Sequence, residues 1–500
     1  MNLVDLLLGP AESAPAAVAL RHAGVETTYG ELADRARRLA GGLVDEGVTS
    51  GERVAITSPN REAFVVSYLA VLVAGAVAVP LNPAAPPAEQ ARELDAIEPR
   101  LVLCGPGGAE RLRAVVDERL LRSVGDACEG FDRFEPAATV ARADGDLAAL
   151  LFTSGTAGSP KAAMLTHGNL AANVHQVLEH PGLRFHAADV VLAVLPFFHV
   201  YGLNVVLGTS LAAGASVVLV DGFDAVASLA LVRCHGVTVL AGVPTMFAAW
   251  LELDEASAPA DVFSTVRLAV SGAAPLRADV CEAMRTRFGL AVHEGYGLTE
   301  ASPIVTTSAA GTLRVGSIGP ALPGVMVRLV DVDGDDVPAG DPGEIRVKGP
   351  NVFAGYWHDD EATERVLTAD GWLCTGDIAV ADDDGYLWLV DRAKDLVIVS
   401  GFNVYPAEVE EVLRTHPAVA DVAVVGVPNA RTGEALAASV VPARGRVPDP
   451  DELRSFAAHH LARYKCPSVI EVVDELPRTV AGKVLRRELW GEPAEASSAE

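Results

Sequence analysis

Runs of apolar, β-branched residues alternate with amphipathic helical stretches along most of the chain. Residues 216–220 and 237–240 read as strands, for example, and the helix-like residues 225–234 separate them. Strands that are apolar on both faces and alternate with helices are typical of a sheet covered by helices on both sides. The pattern therefore predicts an α/β fold with largely buried sheets.

A burst of charge at residues 391–395 interrupts two apolar runs near the C-terminus and marks the predicted domain boundary. The chain has 500 residues, half of them hydrophobic, so it can bury the cores of more than one lobe. We expect a large lobe of sheets covered by helices over residues 1–391. A small α+β domain, joined to it by a hinge, is expected over residues 392–490. Residues 491–500 are small and acidic, which predicts a disordered tail.

The longest uncharged stretch, residues 64–81, raises the question of a membrane span. Pro59 and Gly75 read as the start and stop signals of a helix, and residues 77–80 as a buried strand, which favours a core unit over a transmembrane segment. Residues 1–16 do not resemble a secretory signal. The six cysteines form no CxxC pair, which disfavours a zinc cage or a disulfide framework and favours a reducing cytoplasm.

Several classes of function find no support in the chain. The formal net charge of −27 disfavours nucleic acid as a partner, because phosphate binding needs a basic surface. A serine hydrolase lacks its sequence anchor, since no GxSxG elbow occurs. The pair His293 and Glu294 is not a zinc-protease motif, because Gly297 occupies the position of the second histidine.

Residues 153–161 follow an apolar strand and carry glycines, hydroxyls and one lysine that could converge on a polyphosphate. The residues with that chemistry are Thr153, Ser154, Gly155, Thr156, Gly158 and Lys161. The spacing differs from a Walker A loop, which needs four residues between its glycines and a hydroxyl after the lysine. A surface turn rich in glycine and serine explains the segment equally well when it is considered alone.

This segment resembles the phosphate loop of the adenylate-forming superfamily, which includes acyl-CoA synthetases, luciferases and peptide-synthetase adenylation domains. Further matches follow in the family's order at residues 196–202, 295–300, 375–377, 391–395, 399–406 and 477–483. One departure is Ala157, where the family often has another threonine. The resemblance implies a two-step ligase that uses ATP, Mg²⁺ and coenzyme A. A carboxylic acid first becomes an acyl adenylate, and the acyl group then passes to a thiol.

The resemblance also implies a nucleotide site. Tyr296 would stack on adenine against a wall formed by Gly272, Ala273 and Ala274. Thr299 would contact the α-phosphate and Glu300 would hold magnesium, a metal that proteins usually bind through one carboxylate together with substrate phosphates and water. Asp377, with Arg392 beside it, would accept hydrogen bonds from the ribose hydroxyls.

The small domain would carry the residues that change between the two steps. Lys483 resembles the family's adenylation lysine, which bridges the α-phosphate and the substrate carboxylate. Lys394 falls at the hinge position, and Ser400, Gly401 and Phe402 lie in the segment that lines the thiol tunnel. A solvated basic face around Lys483 and an ordinary turn at Gly401 are the competing interpretations.

His199 matches a gate between the acyl pocket and the thiol tunnel. The expected pocket walls are apolar and partly small: Val200, Tyr201, Gly202, Val243, Pro244 and Thr245. No acidic residue lies between Leu192 and Val220, so the ammonium of an amino acid would be poorly compensated. Residues 370–377 and 400–406 look most like those of fatty-acid ligases. The sequence leaves open the loading of an acyl carrier protein, a non-catalytic sensor on the same fold, and the oligomeric state.

Overall fold

The computed structural model describes residues 1–125, 133–153, 161–309, 313–392, 397–399, 402–429, 433–461, 463–479 and 484–489. The chain divides into two compact units. The first comprises Met1–Val327 and Val347–Cys374, and the second comprises Arg328–Arg346 and Thr375–Glu500. The boundary predicted between Asp391 and Arg392 falls inside the second unit, at the end of a strand, and stays a prediction.

The described strands are β1 Val18–His22, β2 Val25–Thr28, β3 Arg53–Thr57, β4 Val77–Leu81, β5 Leu101–Cys104, β6 Leu121–Ser123, β7 Leu147–Thr153, β8 Lys161–Thr166, β9 Val190–Ala193, β10 Ser216–Leu219, β11 Val239–Gly242, β12 Leu268–Ser271, β13 Val292–Gly297, β14 Ile304–Thr307, β15 Met326–Val330, β16 Pro342–Lys348, β17 Leu373–Ala381, β18 Leu387–Arg392, β19 Val397–Val399, β20 Phe402–Val404, β21 Val419–Asn429, β22 Gly433–Pro442 and β23 Val469–Val472.

The described α-helices are α1 Leu3–Leu7, α2 Gly9–Ser13, α3 Tyr29–Asp45, α4 Glu62–Val73, α5 Pro87–Ile97, α6 Gly108–Leu112, α7 His167–Glu179, α8 Thr209–Ala213, α9 Ala225–His235, α10 Pro244–Glu252, α11 Ala278–Phe288, α12 Asp360–Val366, α13 Pro406–Arg414 and α14 Pro450–His460. A π-helical segment covers Tyr201–Gly208, and short 3₁₀ turns cover Glu118–Leu120, Thr299–Ala301, Arg463–Lys465 and Arg486–Glu488.

The uncharged stretch at residues 64–81 is a core helix-to-strand unit, as predicted. Every residue of α4 is buried, and the five residues of β4 are buried as well. Gly75 ends the helix at φ +69°, a left-handed conformation that glycine adopts without strain. Within the described part of the chain, no helix is long and apolar enough to cross a bilayer.

Two sheets form the framework of the first unit. A six-stranded sheet has the order β6-β5-β3-β4-β7-β8, and an eight-stranded sheet has the order β14-β13-β12-β11-β9-β10-β1-β2. Strands β9 to β13 run parallel to their neighbours, and β14 returns antiparallel to β13. Because parallel strands end at the same edge, the loops after β9, β11, β12 and β13 meet there.

The second unit contains a four-stranded sheet, β15-β16-β17-β18, and a five-stranded sheet with the order β20-β19-β22-β21, in which β23 pairs with β22. Gly385, at φ +80°, lies in the turn between β17 and β18. Helices α13 and α14 accompany the five-stranded sheet, and residues such as Val424, Leu413 and Leu453 form a buried core of their own. The predicted α/β architecture, with a large sheet-and-helix lobe and a smaller C-terminal domain, is confirmed.

Candidate active site

The carboxyl edge of the eight-stranded sheet gathers many of the predicted site residues. Gly272, Ala273 and Ala274 directly follow β12, and Tyr296 lies near the end of the adjacent strand β13. The parallel register pairs Ser271 with Glu294, so the two strand ends lie side by side. Ligands of open α/β sheets bind outside such carboxyl ends, which agrees with a site at this edge.

The loop after β12 approaches its neighbours closely. The Gly272 N–H donates to the Gly242 carbonyl at 3.1 Å. A Cβ at position 272 would lie 2.9 Å from the Tyr201 ring, so a larger residue would push the tyrosine aside. Ala273 adopts φ +67°, and the Leu276 N–H donates to the Glu294 carboxylate at 3.0 Å. The wall predicted for adenine is therefore held by a backbone hydrogen bond to Gly242 and by the Glu294 side chain.

Thr299 and Glu300 lie on a tightly held 3₁₀ turn after β13. A Cβ at Gly297 would come within 2.1 Å of the Pro303 carbonyl, so only glycine fits where the chain reverses. The Phe353 N–H donates to the Glu300 carbonyl at 2.9 Å. The buried Asn351 amide donates to the Ala301 carbonyl at 2.8 Å. These hydrogen bonds fix the backbone from which the half-buried Glu300 side chain extends.

The Glu300 carboxylate accepts a hydrogen bond from the Tyr356 hydroxyl, with 2.6 Å between Oε1 and the phenol oxygen. Burial raises the pKa of Tyr356, and the nearby Glu300 carboxylate raises it further, so the phenol remains the donor. A carboxylate has two oxygens and about four acceptor sites, so Glu300 keeps capacity for a cation. Among the described residues no cluster of three His, Cys, Asp or Glu could hold a metal. A single carboxylate that shares its metal with substrate phosphates fits magnesium.

Thr153 and Lys161 face each other across the β7–β8 hairpin. The Thr153 hydroxyl lies 3.5 Å from the Lys161 carbonyl, and the Lys161 ammonium lies 5.2 Å from the centroid of the Tyr356 ring. Four further residues predicted for the phosphate loop, Ser154, Gly155, Thr156 and Gly158, lie outside the described residues. The hairpin therefore brings the lysine to the tyrosine that binds Glu300.

His199 and Tyr201 lie at the start of the π-helical segment. The Tyr201 N–H donates to His199 Nδ1 at 3.2 Å, which requires that nitrogen to be unprotonated. Burial lowers the pKa of His199, so the imidazole is neutral near pH 7. A Cβ at Gly202 would lie 2.2 Å from the Pro196 carbonyl, so glycine lets this segment pack closely. None of these contacts tests the gate role of His199, which stays a prediction.

A small apolar cavity adjoins this segment. Tyr201 lines it together with Val205, Val270 and Ile304, and its other walls are also aliphatic or aromatic. Of the other predicted pocket residues, Val200 and Gly202 are buried, Val243 is buried at the end of β11, Pro244 is half-buried and Thr245 is exposed. Tyr201 is thus the predicted pocket residue that the structure places on the cavity wall.

In the second unit, strand pairing places Asp377 opposite Arg392 across β17 and β18. Asp377 is buried, and its backbone N–H donates a hydrogen bond to the Thr375 hydroxyl at 3.1 Å. Phe402 begins β20. Lys394, Ser400, Gly401 and Lys483 lie outside the described residues, as does the tail at residues 491–500. The roles implied for all of them stay predictions.

Sequence reasoning missed Tyr356 and underestimated Glu294 and Gly295. Aromatic residues make up 5% of the chain, yet Phe353, Tyr356 and Trp357 fall within five positions, which was the available signal. In the sequence, Glu294 stands out only through its position next to His293. Gly295 borders the wall predicted for adenine, since its carbonyl oxygen lies 3.5 Å from the position that a Cβ of residue 272 would take.

Comparison with known proteins agrees with this arrangement. The AMP-binding enzyme family matches residues 10–357, and the C-terminal domain of AMP-binding enzymes matches residues 408–483. A feruloyl-CoA synthase from Amycolatopsis sp is 41% identical over 487 residues, which cover 96% of each chain. A long-chain-fatty-acid–CoA ligase from Yersinia pestis is 37% identical and covers 94% of this chain and 90% of its own.

Among solved structures, ATP-bound MatB from Rhodopseudomonas palustris superimposes with a TM-score of 0.91 at 36% identity, covering 98% of each chain. The family model covers well over half of this chain, and the relatives align along nearly their whole length. The predicted relationship to adenylate-forming enzymes is confirmed: the chain belongs to the AMP-binding enzyme family, as an AMP-forming acid–thiol ligase.

Proposed function

We propose that this protein is an ATP-dependent acid–CoA ligase whose acid is aromatic. The observation that supports the substrate class most directly is the wall formed by Tyr201 and Gly272. The tyrosine ring lies against the glycine backbone and lines an apolar cavity. A flat substrate ring packs well against an aromatic side chain such as that of Tyr201. Feruloyl-CoA synthase, at 41% identity, is named for an acid of this class.

In the first step a carboxylate oxygen of the acid attacks the α-phosphorus of ATP, and pyrophosphate leaves. In the second step the sulfur of coenzyme A attacks the acyl carbon, and AMP leaves. Both reactants of the first step are anions, so cations and donors around the α-phosphate stabilise the transition state. Glu300 would hold magnesium, which neutralises phosphate charge when it is bound. Thr299 and Lys483 are proposed to contact the α-phosphate, and Lys161 the phosphates beyond it.

An aliphatic acid is the second candidate. The cavity walls are largely Val, Leu and Ile side chains, which suit a hydrocarbon tail, and a related enzyme is named as a long-chain-fatty-acid ligase. Among the described residues that line the cavity none is basic, so a second carboxylate there would lack a cationic partner. A carrier-protein thiol is the alternative acceptor for the second step. A non-catalytic sensor would be expected to lack Glu300, which is present and positioned.

The experiment is a substrate panel with the purified protein. ATP–pyrophosphate exchange and CoA thioester formation would be measured with ferulate, 4-coumarate, benzoate, octanoate, palmitate and a dicarboxylate. We expect hydroxycinnamic acids to have the highest kcat/KM, by about tenfold or more over the aliphatic acids. A higher kcat/KM for octanoate or palmitate would overturn the aromatic assignment and support the second candidate.

Gly295→Ala provides a test inside the pocket. The added Cβ would lie 3.6 Å from the Thr306 carbonyl and 3.7 Å from Val270, which are ordinary contacts, so the fold tolerates it. Since Val270 lines the cavity, the methyl group should narrow it and lower kcat/KM for ferulate more than for benzoate. Gly222→Ala, where a Cβ meets nothing within 4 Å, is the matched control. Equal losses with both acids would exclude Gly295 from the acyl pocket.

A further inference from the structure

Tyr356 contacts two elements that are far apart in the sequence and that both belong to the proposed nucleotide site. Its hydroxyl donates to Glu300 Oε1 at 2.6 Å, across 56 positions of the chain. The Lys161 ammonium lies 5.2 Å from the centroid of its ring, within the range of a cation–π interaction. One buried side chain therefore touches both the proposed magnesium carboxylate and the lysine at the end of the phosphate loop.

The backbone around Tyr356 is held against strand β8. The Trp357 N–H donates to the Ala162 carbonyl at 2.8 Å, and the Tyr356 N–H donates to the Thr363 hydroxyl at 2.9 Å. Gly355 has φ +124°, and a Cβ there would lie 2.7 Å from Thr363, so glycine is required for this approach. These contacts fix the backbone at Tyr356 and so limit the positions that its ring can occupy.

The same segment holds Glu300 a second time. The Phe353 N–H donates to the Glu300 carbonyl at 2.9 Å, while Tyr356 binds the carboxylate. The Phe353 and Tyr356 rings meet edge to face, with their centroids 5.0 Å apart. Residues 353–356 thus determine both the main-chain position and the side-chain orientation of Glu300.

This arrangement matters because a free glutamate side chain samples many rotamers, and a metal can use few of them. A hydrogen bond to one carboxylate oxygen selects the rotamer and leaves the other oxygen as an acceptor. Partners that orient a metal ligand in this way typically contribute about 10- to 100-fold to metal affinity. The ring supplies a separate effect, because its face attracts the Lys161 cation.

We infer that Tyr356 is a positioning residue for ATP activation: its hydroxyl orients Glu300 for the magnesium–nucleotide complex, and its ring holds the Lys161 ammonium. The inference rests on the proposed ATP-dependent activation, within which it assigns Tyr356 a role that acts through Glu300 and Lys161. The tyrosine itself contacts neither acid nor thiol in this scheme.

The test compares Tyr356→Phe with Tyr29→Phe. Tyr29 is a buried tyrosine that likewise donates a hydrogen bond, to the Ala215 carbonyl at 2.8 Å, so the control removes a phenol hydroxyl of the same kind outside the site. Mn²⁺ binding would be titrated by electron paramagnetic resonance in the presence of α,β-methylene-ATP. Tyr356→Phe should weaken Mn²⁺ binding about tenfold or more. Tyr29→Phe should bind Mn²⁺ as the wild type does.

Kinetics separate the hydroxyl from the ring. In pyrophosphate exchange, Tyr356→Phe should raise the Mg²⁺ concentration needed for half-maximal rate by about tenfold while leaving the KM for the acid unchanged. Tyr356→Leu should, in addition, raise the KM for ATP, since Lys161 loses the ring face. Thermal melts followed by circular dichroism would establish that both variants are folded.

Unchanged Mn²⁺ affinity in folded Tyr356→Phe would overturn the inference, as would an equal loss in Tyr29→Phe. The proposed function fails differently: the wild type would then exchange pyrophosphate with none of the acids in the panel. The Mn²⁺ titration uses no acid, so it still decides the role of Tyr356 in that case.

Discussion

Glu294 and Glu300 lie within one strand and its following turn, yet their surroundings differ. Glu300 is half-buried and shares its carboxylate with the Tyr356 hydroxyl. Glu294 is 8% exposed and accepts the Leu276 N–H, which anchors the loop that carries Gly272. Burial raises the pKa of Glu294 to about 7, because the charged form loses its hydration. The same side chain is thus a proposed metal ligand at one position and a titrating loop anchor at the other.

Glu294→Gln should change how stability depends on pH. The folded-state pKa of about 7 lies above the unfolded value of 4.5, so the folded protein binds the proton more tightly between these values. The contribution of Glu294 is therefore fully present below pH 4.5 and is lost as the pH rises through 7. Relative to the variant, the wild type should lose up to about 3 kcal/mol of unfolding free energy over this interval. Urea unfolding at successive pH values measures this free energy for both proteins. If it changes with pH equally in the wild type and in Glu294→Gln, the expectation is wrong.

Among the elements, the N-terminal helix α1 depends on contacts with distant parts of the chain. It has five residues, too few for a stable isolated helix. The Leu3 N–H donates to Nδ1 of the buried His167 at the start of α7, and the Asn2 amide donates to the Leu72 carbonyl at 2.8 Å. Strong apolar burial of Leu3 and Leu7 supplies the rest of its stability. The helix and its histidine therefore form one tertiary unit.

His167→Asn should make the protein less sensitive to acid. Burial, assisted by the nearby Arg142, lowers the pKa of His167 from 6.5 to about 4. As the pH falls, the imidazole is therefore protonated in the unfolded chain before it is protonated in the folded protein. The stability that the neutral imidazole contributes above pH 6.5 is lost as the pH falls toward 4. Asparagine keeps an acceptor for the Leu3 N–H but does not titrate. Between pH 6.5 and 4.5 the wild type should lose on the order of 2 kcal/mol more than the variant. If urea unfolding shows the same loss of unfolding free energy in both proteins, His167 does not cause the acid sensitivity between pH 6.5 and 4.5.

At the scale of the whole molecule, two chemical steps are proposed to use different residues of the second unit. That unit has its own buried core around β21, β22, α13 and α14. Lys483 is proposed for adenylation and Gly401 for the thiol path, with Lys394 as the hinge between the two arrangements. These residues lie outside the described part of the chain, so the division of labour is a proposal that mutation can test.

Lys483→Ala should separate the two steps. Loss of a preorganised charge at the α-phosphate should slow pyrophosphate exchange about 10²- to 10³-fold, while thioester formation from supplied acyl adenylate continues at nearly the wild-type rate. Lys465→Ala is the control for pyrophosphate exchange, because it removes another lysine of the second unit, one that pairs with Glu408 at 2.6 Å. Equal damage to both half-reactions in Lys483→Ala would remove the lysine from its proposed step.

Local structure was largely predictable from residue order. The helix expected at residues 225–234 is Ala225–His235, and the strand expected at residues 216–220 is Ser216–Leu219. The sequence pattern of residues 451–464 also predicts a helix, but the helix ends at His460, and a short 3₁₀ turn covers Arg463–Lys465. Hydrophobic periodicity and helix-stop residues are local signals, so they predict the type of an element better than its last turn.

The sequence by itself determined the alternation of strands and helices, the family to which the chain belongs, and Glu300 and Tyr296 as site candidates, because these depend on residue types at short spacing. Only the tertiary structure decided that Tyr356 binds Glu300, that Leu276 is anchored by Glu294, and that Tyr201 lies against Gly272. Each of these contacts joins separate loops at a sheet edge. Which loops meet there depends on strand order and register, and those result from burying the whole set of apolar faces at once.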